Sequence, residues 1–305
     1  MAGETTSDAG FATVDTLVVV GLGLIGGAVA RAARGRGLAR RLVAVGRRAA
    51  DMNAAVAAGI VDEWTADLSA AAARGDVVVL SRPVEIIVED ARVALRHAPG
   101  HALVTDAGST KGAIVAAAEE AQQPGGARFV GSHPMAGSDK TGWRASPPDL
   151  FRGATTLVTP TEKTDAAGTA RVAAFWRALG SRVVLCTPQR HDDLIGLVSH
   201  LPHMVAAGLA EELAEHRADA ELLRLLAGPG LRDTTRVAAG DPDLWCQICH
   251  QNPDGIADRL ERTGERLRQL ADLIRRRDEA TLRARLEAAR SMRQALEPNG
   301  DQNWK

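Results

Sequence analysis

A single imidazole, His133, sits in the segment Gly131-Ser132-His133-Pro134-Met135-Ala136-Gly137, held between glycines and a proline. Histidine is the side chain whose ordinary pKa lies nearest neutrality, so a stiff loop presenting one points to proton transfer. A turn whose histidine merely satisfies backbone groups is the alternative. Asp106-Ala107-Gly108-Ser109-Thr110-Lys111 offers a hydroxyl at Ser109 to orient a substrate or to cap a helix, while Lys111 equally suits a solvated helix face. In Ser199-His200-Leu201-Pro202-His203, Ser199 and His203 are four apart and share a helix face. Pro202 in that helix costs about 3 kcal/mol unless it marks a kink or a helix start. A metal pair at these histidines lacks a third ligand at suitable spacing. Further on, Arg232-Asp233-Thr234-Thr235-Arg236 makes Arg236 a candidate carboxylate clamp, with Asp233 near enough to orient it or simply to pair with it.

A second group of residues would serve a ligand rather than a proton. Gly21-Leu22-Gly23-Leu24-Ile25-Gly26 follows the apolar run Leu17–Val20 and precedes a helical pattern. There the glycines allow a tight turn, a close backbone approach to a pyrophosphate, and close helix–strand packing. The expected contacts of such a dinucleotide are Gly21, Gly23, Leu24, Ile25 and Gly26, with Pro83 and Asp106 at the ends of later strands. The second strand ends Val45-Gly46-Arg47-Arg48, with no acid before Asp51. Two guanidiniums suit a 2′-phosphate, so NADP is favoured over NAD, exposed arginines being the plain alternative.

The elements that must hold these residues alternate. Strands are expected at Leu17–Val20, Arg41–Val45, Val77–Leu80 and His101–Thr105. Helices are expected from Leu24 to Arg34, Asp51 to Ala58 (capped by Asp51), Val84 to Leu95 and Thr110 to Ala121. Thr155–Val158, a helix over 166–179 and Arg182–Leu185 continue the pattern. That alternation is the mark of a doubly wound, Rossmann-like α/β sheet. Beyond Pro188 the periodicity is helical throughout. The organisation expected is a flexible N-terminus (1–13), a dinucleotide-binding domain (14–188), an all-helical substrate and dimerisation domain (189–297), and a frayed tail (298–305). Leu260, Leu267, Leu270 and Ile274 form one helical stripe, suited to a dimer interface or an internal core.

Composition excludes several classes. Among 305 residues, 37 basic and 38 acidic side chains leave a net charge of −1, so no global field favours nucleic acid or anionic lipid. The N-terminus lacks the basic and apolar regions of a secretion signal, and Leu17–Ala30, broken by glycines, is too short to span a bilayer. Three cysteines provide no disulfide framework, which fits a reducing cytoplasm. Cys246-Gln247-Ile248-Cys249-His250 matches a haem-attachment string, but without an export signal it reads better as an amphipathic helix. Tyrosine is absent, which limits stacking as a binding strategy.

Taken in order, the glycine loop, Asp106-x-Gly108-Ser109-x-Lys111, the Gly131–Gly137 segment, His191-Asp192, Ser199-His200-Leu201-Pro202-His203 and Thr235-Arg236 resemble the prephenate/arogenate (cyclohexadienyl) dehydrogenases of tyrosine biosynthesis. The resemblance covers the chain from Gly21 to about Asn252. It implies oxidative decarboxylation of a cyclohexadienyl substrate, with hydride leaving C4 for NAD(P) and the ring carboxylate leaving as CO2. It implies that His133 hydrogen-bonds the C4 hydroxyl and assists its deprotonation, and that Ser109 orients His133 and the substrate. It further implies substrate-binding roles for Ser199, His203 and Arg236, with Arg236 the main cation and Trp245 closing the pocket, and a homodimer formed through the helical domain. Three features depart from the family: Asp139 where glutamate is usual, Arg82 before Pro83 where small or apolar residues are usual, and no room for a regulatory or chorismate mutase segment. A monofunctional enzyme is the expectation. Two rivals stand beside this one. A hydroxyacid-type dehydrogenase would normally use a lysine in its helical half, but none lies between Lys163 and Lys305. A non-catalytic NADPH sensor would keep the fold and not need His133.

Overall fold

The computed structural model describes residues 10–137 and 140–297. In chain order it runs β1 (Val14–Val20), α1 (Leu24–Gly35), β2 (Ala39–Val45), α2 (Ala49–Ala57), β3 (Glu63–Thr65), α3 (Leu68–Ala72), β4 (Val77–Leu80), α4 (Val84–His97), β5 (Leu103–Asp106) and α5 (Gly112–Ala121). Next come β6 (Arg128–Pro134), β7 (Thr155–Thr159), α6 (Ala166–Ala178) and β8 (Arg182–Leu185). The strands form one sheet in the order β3-β2-β1-β4-β5-β6-β7-β8. β1 to β6 are parallel, β7 runs antiparallel to β6, and β8 is parallel to β7. Leu17–Val20 and Val77–Leu80 are wholly buried, which is why both read as unbroken apolar runs rather than alternating ones. The order reverses between β1 and β4, and ligands of such sheets bind at that switch point, beyond the strands' carboxyl ends.

After β8 the chain is helical, with no further strand among the described residues. α7 (Pro188–Ile195) continues through a single π turn, Gly196–His200, into α8 (Leu201–Glu215). α9 (Ala220–Leu226), α10 (Pro229–Thr235), α11 (Pro242–Gln251), α12 (Pro253–Arg276) and α13 (Glu279–Ala295) follow. Secondary-structure character thus changes at residues 185–188, while the first compact unit extends over Met1–Gly255 and the second is Ile256–Lys305. Within the second unit, Leu267 and Ile274 of the expected stripe are exposed. The run Pro188–Glu215 is long and apolar enough, by length and composition, to cross a membrane. It nevertheless carries Asp192, His191, His200 and His203, whose side chains are built into the globular fold described below.

Several expectations are corrected. Gly131–Pro134 is not a loop but the end of β6, paired residue for residue with β7, with His133 opposite Leu157. Gly131 belongs in a strand here because a Cβ would come within 2.5 Å of Thr159 Oγ1. Asp51 does not cap α2; Arg48 occupies that position with no side-chain bond, and Asp51 lies in the first turn. The lead-in to Val14 is tied down in part, since Phe11 packs edge-on against Phe175 with ring centroids 5.3 Å apart. Asp139, residues 1–9 and the tail from 298 lie outside the described residues.

Candidate active site

The site grows from a buried polar core where β5 meets β6. Asp106 and Lys111 are both fully buried and ion-paired. The remaining capacity of Asp106 is filled by the amides of Gly108 (2.8 Å) and Ser132 (3.0 Å). Lys111 also donates to the carbonyl of Ser132 at 2.8 Å. Lys111 is therefore no solvated helix residue, and Asp106 is spent on the fold rather than offered to a cofactor. The Ser132 hydroxyl bonds the Asp106 carbonyl and receives the Trp176 indole N–H at 2.8 Å. Every polar atom of Ser132 is thus engaged, which fixes the backbone one residue before His133.

His133 is anchored from the helical half. Its Nδ1 lies 2.9 Å from Nε2 of His191, and His191 Nδ1 lies 2.8 Å from Oδ1 of Asp192. The Asp192 carboxylate also accepts the amides of Lys111 (2.8 Å) and Gly112 (2.7 Å), so a side chain of α7 caps α5. The cap expected from Ser109 is not formed. Burial pushes the His133 imidazole well below its ordinary pKa, reinforced by His191, Lys111 and His200. Burial likewise lowers His191, against the pull of Asp192. Burial opposes ionisation of Asp192, but the bonds from His191 and the two amides outweigh it and hold the carboxyl below its usual range. His200 is buried with neither ring nitrogen partnered, and burial lowers it to about 4.

Two clefts open over the carboxyl ends of β1, β4, β5 and β6. One, of about 650 Å³, is lined by Gly23, Leu24, Ile25, Arg82, Pro83, Ser109, His133, Asp241, Leu244 and Gln247, among others. The other, of about 850 Å³, is lined by Gly21, Gly23, Arg47, Arg48, Asp51, Arg82, Pro83 and Arg144, among others. The structure therefore gathers the glycine loop, Pro83, Ser109 and His133, and gives Arg47 and Arg48 the far end. Gly26 lines neither cleft but serves packing, since a Cβ there would meet Ser81 Oγ at 2.5 Å. Ser199, His203, Arg236 and Trp245 do not line either cleft. His203 is buried and stacks on Trp245 at 3.4 Å between ring centroids. The π turn puts His200 in the core beside them, its ring edge-on to Trp245, and leaves Ser199 half-buried. Arg236 is exposed, and the ion pair expected with Asp233 is not formed among the described residues.

Sequence reasoning leaves the contacts of four residues unread. His191 and Asp192 were visible as a motif, but nothing local to them indicates that they meet His133, 58 positions away. Arg144 pairs with Asp51 at 2.7 Å and lies over the Trp143 ring, 4.4 Å from its centroid. It adds a third guanidinium beside Arg48, which pairs with the same Asp51 at 3.2 Å. Arg82 holds Asp90 of α4 in a two-pronged ion pair. No spacing signal announces Arg144 or the Arg82 pairing.

Residues 29–185 match the family model described as prephenate dehydrogenase, nucleotide-binding domain, and residues 187–288 match prephenate dehydrogenase, dimerization domain. The chain belongs to the prephenate dehydrogenase family. It is an NAD(P)-dependent oxidoreductase with prephenate/arogenate dehydrogenase activity, built from a parallel α/β nucleotide-binding domain and a helical dimerization domain. Among relatives of this dehydrogenase, the prephenate dehydrogenase of Bacillus subtilis (strain 168) is 30% identical over 286 residues, covering 92% of this chain and 76% of that one. A crystal structure of prephenate dehydrogenase from A. aeolicus with hydroxyphenyl propionate and NAD+ superposes with a TM-score of 0.85 at 33% identity, covering 93% of this chain and 98% of that one. Synechocystis arogenate dehydrogenase superposes at 0.80 with 32% identity, covering 92% and 100%.

The glycine loop of the dehydrogenase fits a dinucleotide. Gly21 adopts φ +92, and a Cβ there would come 2.6 Å from Arg82 Cγ. At Gly23, by contrast, a Cβ would meet nothing within 4 Å, so the backbone ahead of α1 faces open cleft with room for a pyrophosphate.

Proposed function

We propose that this enzyme oxidatively decarboxylates prephenate or arogenate with NADP as the preferred dinucleotide, and that His133 is the group that takes the proton from the C4 hydroxyl. The observation carrying this is His133 itself. It lines the cleft that begins at Gly23, its Nδ1 is engaged by His191, and Nε2 has no protein partner among the described residues. A half-buried imidazole held below its ordinary pKa is neutral at neutral pH, the form a base requires. The dinucleotide supplies the hydride acceptor. Gly21, Gly23, Leu24, Ile25 and Pro83 hold it, with Arg47, Arg48 and Arg144 at the adenosine end. There Asp51 is occupied by Arg144 and Arg48, so it is poorly placed to serve as the acid that selects an unphosphorylated ribose.

Ser109 shares the cleft with His133 and orients the hydroxyl. Arg236, exposed and with no acidic partner among the described residues, draws in the substrate carboxylates, with Ser199, His203 and Trp245 shaping the helical wall around them. A homodimer covers apolar surface that one subunit leaves exposed, notably Val198, Leu225 and Leu226. The test is a two-by-two rate assay of prephenate or arogenate with NAD or NADP, followed by nicotinamide absorbance. Turnover with either substrate and a lower KM for NADP are expected. Inactivity in all four combinations overturns the reading, and a clear NAD preference overturns the role given to the arginines.

A further inference from the structure

We propose that Asp192 and His191 form a relay that sets the tautomer of His133, making both of them positioning residues for proton removal. This rests on the reading of His133 as the proton acceptor. Carboxylates only accept, so the 2.8 Å contact requires His191 Nδ1 to carry its hydrogen. A neutral His191 then has only a lone pair at Nε2, and the 2.9 Å contact obliges His133 Nδ1 to donate into it. Nε2 of His133 is thereby left as a bare lone pair on the ring that lines the cleft. The opposite tautomer would place two lone pairs face to face, in a site with no room for relaxation: His191 is fully buried.

The chain is anchored as well as polarised. Asp192 is held by two α5 amides and by its neighbour His191, and its own backbone carbonyl accepts from the Asn252 side chain at 3.0 Å. The groups facing His133 are His191, His200 and Lys111; those facing His191 are Asp192, Asp106 and Lys111. Only Asp192 among these offers an acceptor to His191 within hydrogen-bond reach. A protonated His191 would donate at both nitrogens, reverse the bond and put the hydrogen of His133 on Nε2, where it cannot act as a base. The carboxylate thus does for His191 what the third member of a nucleophile–base–orienter set does, one imidazole further from the substrate.

The experiment is ¹⁵N NMR of imidazole nitrogens in the full-length enzyme, His133 being assigned by its loss in His133→Asn, together with steady-state kinetics of His191→Phe and His191→Gln. Wild-type His133 is expected as the Nδ1–H tautomer. His191→Phe is expected to move it toward Nε2–H and to lower kcat roughly ten- to hundredfold with little change in KM. His191→Gln, whose amide oxygen can accept from Nδ1, should recover part of kcat. An Nε2–H tautomer in the wild type, or unchanged kcat in His191→Phe, overturns the relay. Should His191→Phe not fold, the wild-type spectrum still decides. An enzyme inactive with every substrate and cofactor pair while His133 remains Nδ1–H would instead overturn the function and leave the relay standing.

Discussion

The two ends of the ligand crevice are built on opposite principles. At the β5–β6 end, Asp106, Lys111, Ser132 and His191 are buried and His133 and Asp192 half-buried, and apart from Nε2 of His133 their side-chain polar atoms are engaged within the protein. At the β2 end, Arg48 and Arg144 have side chains 84% and 61% exposed, and these two guanidiniums share one carboxylate, that of Asp51. In the first region a charge is worth a great deal and is costly to strand; in the second it is screened by water and salt. Proton transfer needs geometry fixed to a few tenths of an ångström, whereas recognition of a phosphate needs only accumulated positive charge. On the proposed function, the contrast separates the groups that would do chemistry from those that would choose the cofactor.

Breaking the buried side should give the largest effect. Lys111→Met leaves Asp106 charged without its cation and should cost about 3–5 kcal/mol of unfolding free energy, measured by urea titration; a loss below about 1 kcal/mol would put the pair in the exposed class. Acid should act in the same region. His200 has an ordinary value of 6.5 and is lowered to about 4 in the fold, so the unfolded chain binds its proton first. Stability contributed by the neutral ring is present above 6.5 and is lost as pH falls from there toward about 4, amounting to about 3 kcal/mol. Replacing His200 by Leu should flatten that part of the stability-against-pH curve, and an unaltered curve would assign the acid loss elsewhere. His133→Asn should lower kcat roughly a hundredfold with the fold intact, read from initial rates and circular dichroism.

On the exposed side effects should be smaller and salt-dependent. Arg144→Gln or Arg47→Gln should raise KM for NADP roughly tenfold at low ionic strength, less at high, and leave KM for NAD nearly unchanged. Smallest of all, Asp51→Asn should tighten NADP by less than about fivefold, because it frees two guanidiniums and removes a repelling charge. A weaker NADP affinity in that variant would show that Asp51 organises the arginines rather than competing for them.

What was legible in the chain follows the same division between local and distant causes. β1, β4 and β8 announce themselves because apolar β-branched runs are a local property, and the glycine loop is legible because strand, turn and helix are contiguous. β3 and α3 passed unseen: one is a three-residue edge strand only half-buried, the other a single turn or so of alanines. The end of β6, Gly131–Pro134, looks like a loop because Gly131 and Pro134 argue against a strand in isolation; its pairing with β7 comes from residues more than 20 positions later. Motif and context are enough to point to His133, Ser109, Pro83, Leu24 and Ile25, which line one cleft. Asp106 reads as a cofactor contact because its buried partner Lys111 looks, from the sequence, like a surface lysine. Arg236 was expected with Asp233, a neighbour in sequence but not a partner in space. The π turn at Gly196–His200 has no composition of its own, and it decides which of the histidines there enter the core.

The cap that Asp192 places on α5 has a consequence for modularity. The boundary between the two family segments falls at residues 185–187, a natural place to cut or to join halves of related enzymes. Yet the first turn of a nucleotide-domain helix is completed by a carboxylate from beyond that boundary. A fragment ending at residue 186 would expose the α5 terminus, strip His133 of its anchor and leave Lys111 near an open edge. Chimeras that exchange the helical half should keep the α5 cap only if the incoming segment brings an acid at position 192. Inheritance of the two halves is therefore joint: selection acting on the nucleotide domain reaches across the seam through one side chain.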